Sequence, residues 1–271
     1  MKQKRIALVN DITGFGRCSI AVELPIISAM KIQACPLPTA ILSVHTGFPN
    51  HFLDDYTNRM REYVASWEKN QLTFDGIATG FLSSVEQIEI VIDFIKKFRT
   101  PETKIFVDPV MGDDGKLYQS YTKEICREMR KLLQYADLVT PNLTEACELL
   151  GIEYPENVSE DQIWKMAEEI SNRGSKDVII TGVRFENLMK NFILSSGNRS
   201  IVESKKIDGD RSGTGDAFAA IVSASILNGE DLRIAVEKAQ KFIAKSISYA
   251  VELDLPWNWG LPIEEFLTEL R

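Results

Sequence analysis

The chain has 271 residues, 44% of them hydrophobic and 26% charged. This ordinary globular composition provides enough chain to bury a large core without disulfides or metals, and it excludes collagen, coiled coil, disordered tail and disulfide scaffold. With 31 basic and 39 acidic side chains the net charge is −8, so the surface is a poor general partner for nucleic acid or anionic membrane, although a local basic pocket for phosphate stays open.

Short apolar runs alternate with stretches of helical period. Residues 6–9 read as a buried strand ended by Asn10-Asp11, followed by a helix over about 19–30 in which Pro25 marks a kink. Residues 40–42 are a second strand and 51–69 a charged amphipathic helix. A strand at 76–78 stops at Thr79-Gly80. The helix over 85–98 sets Val85, Ile88, Val91, Ile92 and Ile95 on one face, with Ser83 or Ser84 as its cap. A strand at 105–107 closes on Asp108-Pro109 and precedes a helix over 121–133. A strand at 137–139 closes on Thr140-Pro141-Asn142. Helices over 145–150, ended by Gly151, and 160–172 follow. The strand at 178–180 closes on Thr181-Gly182, and 191–194 with 200–203 form a hairpin around Ser196-Gly197-Asn198. Helices over 216–227, 232–249 and 263–270 complete the chain.

This alternation predicts βαβ units, hence an α/β fold with a mostly parallel sheet covered on both faces. Right-handed crossovers bring every strand's carboxyl end to one rim, where ligands of such sheets bind. Asn10, Asp11, Thr79, Gly80, Asp108, Thr140, Asn142, Thr181 and Gly182 stand there. Any one of them suits a strand-end turn, but together they predict a polar cleft.

Cys18, Cys35, Cys126 and Cys147 are widely spaced, and His45 and His51 are the only histidines. That pattern suits reduced, mostly buried thiols of a cytoplasmic protein and does not suit zinc. The N-terminal apolar run is too short for a signal-peptide core. The longest nearly apolar stretch, 217–227, falls well short of the roughly 20 residues of a membrane span.

The strongest local signal is Asp210-Arg211-Ser212-Gly213-Thr214-Gly215-Asp216-Ala217-Phe218 before an apolar helix. Two glycines let successive N–H groups curl around one anion, and the helix adds its positive end. Thr214 adds a hydroxyl. Asp216 at the same mouth can take the proton of an attacking hydroxyl, so anion hole and base together suit phosphoryl transfer to an alcohol. The same residues could also simply cap a buried helix. Neither a GxxxxGK[ST] loop nor the protein-kinase set of loops occurs. Gly14-Phe15-Gly16 matches part of a dinucleotide fingerprint, but the second strand runs into Val44 and His45 without the acid that such a site needs. Asp108, Asp113 and Glu145 supply carboxylates at the rim that could hold Mg²⁺ between nucleotide phosphates.

These motifs, taken in order, resemble the pyridoxal/pyridoxamine kinases of the ribokinase-like superfamily. The resemblance covers almost the full length. It rests on Asp210-x-x-Gly213-x-Gly215-Asp216, Asp108-Pro109-Val110-Met111-Gly112-Asp113 and Thr140-Pro141-Asn142-x-x-Glu145. His45-Thr46-Gly47 and Thr79-Gly80-Phe81-Leu82 support it. It implies a single ribokinase-like domain over 1–271, three-layered with a small or absent lid, acting as an ATP-dependent kinase on the 5′-hydroxymethyl group of a B6 vitamer. Asp216 would be the base and Gly213, Thr214 and Gly215 the anion hole. Asp108, Asn142, Glu145, Thr181 and Ser212 would face the nucleotide. Mg²⁺ would lie at Asp108, Asp113, Glu145 and Thr140, and a K⁺ ion near Asp108, Thr140 and Thr181. Asp11, His45, Thr46 and Phe81 would meet the heteroaromatic alcohol. A cytoplasmic homodimer, without nucleic-acid or membrane partners, is expected.

Two departures bear on the acceptor. Val9-Asn10-Asp11 stands where many pyridoxal kinases have Ile-Gln-Ser, and Phe81 where Tyr is frequent. A carboxylate at Asp11 would favour the amine of pyridoxamine over an aldehyde. The competing readings are a hydroxymethylpyrimidine kinase of the same superfamily and a non-catalytic nucleotide- or vitamer-binding protein. An intact Gly213-Thr214-Gly215-Asp216 argues against the latter. His45 either touches substrate or satisfies a turn, and Trp257 and Trp259 read as anchors of the C-terminus.

Overall fold

The structure, a computed structural model, describes residues 3–207 and 209–271. In chain order the first half runs β1 (Arg5–Phe15), α1 (Ile20–Ala29), β2 (Gln33–Val44), β3 (Leu53–Asp55), α2 (Thr57–Lys69), β4 (Gly76–Thr79), α3 (Val85–Phe98), β5 (Lys104–Val107), β6 (Gly112–Asp113), β7 (Lys116–Leu117) and α4 (Lys123–Met129). The second half runs β8 (Leu138–Val139), α5 (Leu143–Leu150), α6 (Glu160–Asn172), β9 (Asp177–Phe185), β10 (Leu188–Ser195), β11 (Asn198–Lys205), α7 (Thr214–Leu227) and α8 (Leu232–Glu252). Among the described residues, nine strands make one sheet in the order β11-β10-β9-β8-β5-β4-β1-β2-β3, while β6 and β7 form a separate small hairpin. The six strands from β9 through β2 pair in parallel, and the antiparallel strands lie outside them.

Alternation along β1 divides the core. Ala7 and Val9 point into a cluster with α2, α3, α4, α5 and α6, whereas Ile6 and Leu8 point into one with α1, α7 and α8. The outcome is a three-layer α/β fold, as the sequence pattern predicts.

Several boundaries differ, each for a tertiary reason. β1 continues past Asn10 to Phe15, because β2 pairs with it as far as Val44. A register shift between Asn10 and Ile12 puts a bulge at Asn10-Asp11, so this pair lies inside a strand rather than ending it. β2 starts at Gln33 and includes Pro36 and Pro38. β3 reaches β2 only at Ala40–Leu42, so the prolines occupy a stretch paired on one side alone. The helix expected over 51–69 begins only at Thr57; before it β3 closes the sheet edge, and the Thr57 N–H donates to Asp55 Oδ1 (2.8 Å). α4 gives way at Arg130 to a 3₁₀ turn, and the expected helix over 263–270 is two 3₁₀ turns. β9 does not stop at Thr181-Gly182 but runs on into a hairpin with β10. The backbone around Arg17 pairs with Gly260, and Arg17 is ion-paired with Glu264 (2.8 Å), so the segment after Gly16 carries the C-terminus rather than a dinucleotide.

Candidate active site

One cleft of about 1070 Å³ opens along the carboxyl rim. The candidate site residues line it: Asp11, His45, Thr46, Phe81, Asp108, Asp113, Thr140, Asn142, Glu145, Thr181, Ser212, Gly213, Thr214, Gly215 and Asp216, whereas Thr79 and Gly80 of the predicted rim do not. The lining residues come from six parallel strands or the segments that follow them, from the β6-β7 hairpin and from the starts of α5 and α7.

The floor is the start of α7. Gly213 precedes it with φ 82°, and a Cβ there would sit 2.0 Å from the Arg17 carbonyl oxygen. Only glycine fits. No side chain caps this helix. Its first internal bond runs from Ala217 N–H to Gly213 O (2.9 Å), which leaves the earlier N–H groups of the turn outside the helix's own bonding. Gly215 differs from Gly213, since a Cβ on it would meet nothing within 4 Å. Neither backbone nor packing demands a glycine there, and the missing side chain keeps the space above the helix mouth open.

Asp216 sits at that mouth. Burial raises its pKa from the usual carboxylate range, opposed by hydrogen bonds from the Ser19 N–H and the Asn10 side chain. Asn10 Nδ2 donates to Asp216 Oδ1 (3.4 Å). Asp108 is pushed up to about 8 by burial and then by the Asp216 charge. Among the described residues its carboxylate has no hydrogen-bond partner. Asp11 is pushed up to about 6, chiefly by burial. Its oxygens accept from Ser19 Oγ (2.5 Å) and Thr13 Oγ1 (2.8 Å), so the carboxylate expected to greet a substrate amine is already bound on both sides.

Three further candidates already make bonds within the protein. Glu145 takes the Met111 N–H on Oε1 (3.1 Å) and the Asn142 N–H on Oε2 (2.9 Å). Asn142 accepts from Glu145 N–H (3.0 Å) and donates to Gly112 O (2.8 Å). The two residues make a capping box for α5, so each of Glu145's oxygens already holds a backbone donor before any metal or nucleotide is considered. His45 accepts the Gly47 N–H on Nδ1 (3.1 Å) and therefore donates from Nε2 to Asn258 O (2.8 Å). Both ring nitrogens are thus bonded, which ties the Thr46 loop to the C-terminal segment.

The sequence reading missed part of the lining. Arg184, Lys205, Lys206 and Arg211 lie around the cleft, and Arg184 faces Asp114 (3.5 Å) and Asp210 (3.4 Å). These cations share the cleft with acids such as Asp113, Asp114, Glu186 and Asp210. Nothing in their spacing reveals it, since β9, β11 and the loop before α7 meet only in the sheet. Trp257 also reaches the cleft, and its carbonyl accepts the Ser212 N–H (3.3 Å), so the C-terminal segment braces the glycine loop.

A recessed carboxylate beside an uncapped, glycine-lined helix start, with basic groups in the same cleft, could handle a phosphate. The sequence matches the phosphomethylpyrimidine kinase family over residues 20–257. The chain belongs to this family. A hydroxymethylpyrimidine/phosphomethylpyrimidine kinase of Haemophilus influenzae is 31% identical over 193 residues, 68% of this chain and 69% of that protein. A pyridoxine kinase of Bacillus subtilis is 29% identical over 188 residues, 66% of each chain. The crystal structure of a Bacteroides thetaiotaomicron protein, provisionally named a phosphomethylpyrimidine kinase, is 37% identical and superposes with a TM-score of 0.97, covering 100% of this chain and 94% of that one. A second crystal form of that protein, with pyridoxal, gives 0.95 over 99% and 96%. The kinship with pyridoxal-type kinases of the ribokinase-like superfamily therefore holds. Relatives named for a pyrimidine and for pyridoxine stand at nearly equal identity, so membership of the phosphomethylpyrimidine kinase family does not by itself select the acceptor. No helix among the described residues is long and apolar enough to cross a membrane.

Proposed function

We propose that this member of the phosphomethylpyrimidine kinase family transfers the γ-phosphoryl of ATP to the 5′-hydroxymethyl group of a B6 vitamer. The observation that carries the reading is the start of α7, where Gly213 is sterically obligatory, Gly215 is open and Asp216 stands at the same mouth. N–H groups of Thr214 and Gly215 receive the charge that gathers on the migrating phosphoryl. Asp216 accepts the proton of the acceptor hydroxyl, a task that its raised pKa favours. Thr181 and the basic groups of the cleft hold the nucleotide, while Thr46, Phe81 and Trp257 border the flat acceptor. Positioning and charge supply most of the acceleration, since phosphoryl transfer asks little covalent chemistry of the protein.

The donors fit a divalent cation carried by the nucleotide. Asp108 offers an unpartnered oxygen pair and Asp113 a second carboxylate on the same rim. Among the described residues no group of three or more His, Cys, Asp or Glu could cage an ion alone, which matches the habit of Mg²⁺ of binding through one or two carboxylates plus phosphates. Mg²⁺ bound there would neutralise phosphate charge. The oxygens of Asp108, Thr140 and Thr181 would suit K⁺.

Pyridoxal in the 37%-identical Bacteroides crystal supports a B6 acceptor. The family match and the Haemophilus relative favour a second reading, hydroxymethylpyrimidine. Coupled ADP release with pyridoxal, pyridoxamine, pyridoxine and hydroxymethylpyrimidine separates the two. The B6 reading expects the highest kcat/KM with a vitamer. A clear preference for the pyrimidine replaces it, and no turnover with any of the four removes the kinase reading.

A further inference from the structure

Helix α1 is apolar and buried through Ile20, Val22, Ile26 and Ile27, yet it places Glu23 among them, 5% exposed. A carboxylate in such surroundings costs stability unless it is paired, and no cation lines the small cavity it borders with Thr79, Asp108 and Thr140. Glu23 Oε2 has no partner among the described residues. The neighbouring side chain that favours its ionised form is Asn10.

Asn10 is 1% exposed and its amide orientation is determined. Oδ1 accepts two backbone donors, Asp11 N–H (2.9 Å) and Phe81 N–H (2.8 Å), so the other atom is the NH₂ group, which donates to Asp216 Oδ1 (3.4 Å). Room for this amide exists because residue 80 is glycine: a Cβ there would lie 2.4 Å from Asn10 Nδ2 and 2.6 Å from Oδ1. The Asn10 NH₂ is therefore bonded to Asp216 on the cleft side and lies near Glu23 behind it.

We infer that Asn10, seated by Gly80 and anchored from behind by Glu23, is a positioning residue that holds one oxygen of Asp216 and thereby turns the other toward the acceptor hydroxyl. The inference rests on Asp216 being the base. It explains why a buried acid persists in an apolar helix and why the β1 bulge falls at Asn10.

Asn10→Asp keeps the acceptor oxygen for Asp11 and Phe81, removes the NH₂ donor and adds an acidic group beside Asp216. It should lower kcat for pyridoxal about 10- to 100-fold while KM for ATP moves less than about 3-fold. In an Asp216→Asn background the same change should cost less than about 2-fold more, because residues that act as one unit are not additive. Glu23→Met, which fills the space with an apolar chain, should lower kcat several-fold without lowering Tm, and Glu23→Gln should restore most of it; a merely structural acid would do neither. Full kcat in Asn10→Asp with a dead Asp216→Asn overturns the positioning role and leaves the base in place. So does an equal loss in both backgrounds. Near-normal turnover in Asp216→Asn overturns the base and this inference together. Should Asn10→Asp fail to fold, the Glu23 pair decides: a lower Tm in Glu23→Met, or kcat unchanged there, overturns it.

Discussion

Two helix starts line the cleft, those of α5 and α7, and both carry an acid in the first turn. At α5, Asn142 and Glu145 bond each other's backbone N–H groups and close the turn on itself. At α7 no side chain caps the turn, and Asp216 is held from outside by Asn10. An acid at the same helical position is thus part of a cap in one place and an available group in the other. What separates them is whether the turn's donors are already satisfied.

That contrast is open to attack by mutation. The largest effect belongs to Asp216→Asn, which should cut kcat by roughly two or more orders of magnitude while calorimetric ATP binding stays near normal. Gly215→Ala is the sharper probe. Its Cβ meets no protein atom within 4 Å, so Tm should hold or rise slightly, whereas kcat/KM for ATP should drop about 10-fold or more as the methyl enters the phosphate's space. At α5 the order inverts. Asn142→Ala should cost about 1 kcal/mol of stability by denaturant unfolding, with a smaller loss of turnover than either change at α7. If Asn142→Ala instead abolished turnover at unchanged stability, the two helix starts would not differ as described.

The smallest effect concerns pH. The Asp11 pKa is raised to about 6 on folding. Between about pH 4 and 6 the unfolded chain releases this proton first, so the folded state binds more protons and stability falls as pH rises. Asp11→Asn removes that slope. Its Tm relative to the parent should therefore increase from pH 4 to pH 7, by a few degrees, in thermal scans. A constant difference across that window would contradict the raised pKa. Because both Asp11 oxygens are held by Ser19 and Thr13, the ratio of kcat/KM for pyridoxamine and pyridoxal should change little in the same variant.

The fold and the main candidate residues were legible because their signals are local. Apolar runs bounded by polar turns mark the parallel strands, and βαβ order obliges their ends to share a rim. Thus Asp108 and Thr181 could be placed on one rim from the pattern, whereas the Gly213–Asp216 loop joined them through the family resemblance. The short edge strand β3 was not legible, since its three residues sit in a stretch whose charge pattern also suits a helix, and only the exposed edge of β2 makes them a strand. Nor was the longer β2 legible, because its prolines argue against a strand unless one flank is unpaired.

By itself, then, the sequence determined the layer order and the glycine-rich start of α7, which depend on periodicity and on neighbours a few residues apart. The tertiary structure alone decided which acids are spoken for. Glu145 is closed by its own helix cap, whereas Asp216 is held by Asn10, 206 positions away. Such contacts arise from strand order and the β1 bulge, and an acid's role follows from which donors reach it once the chain has packed.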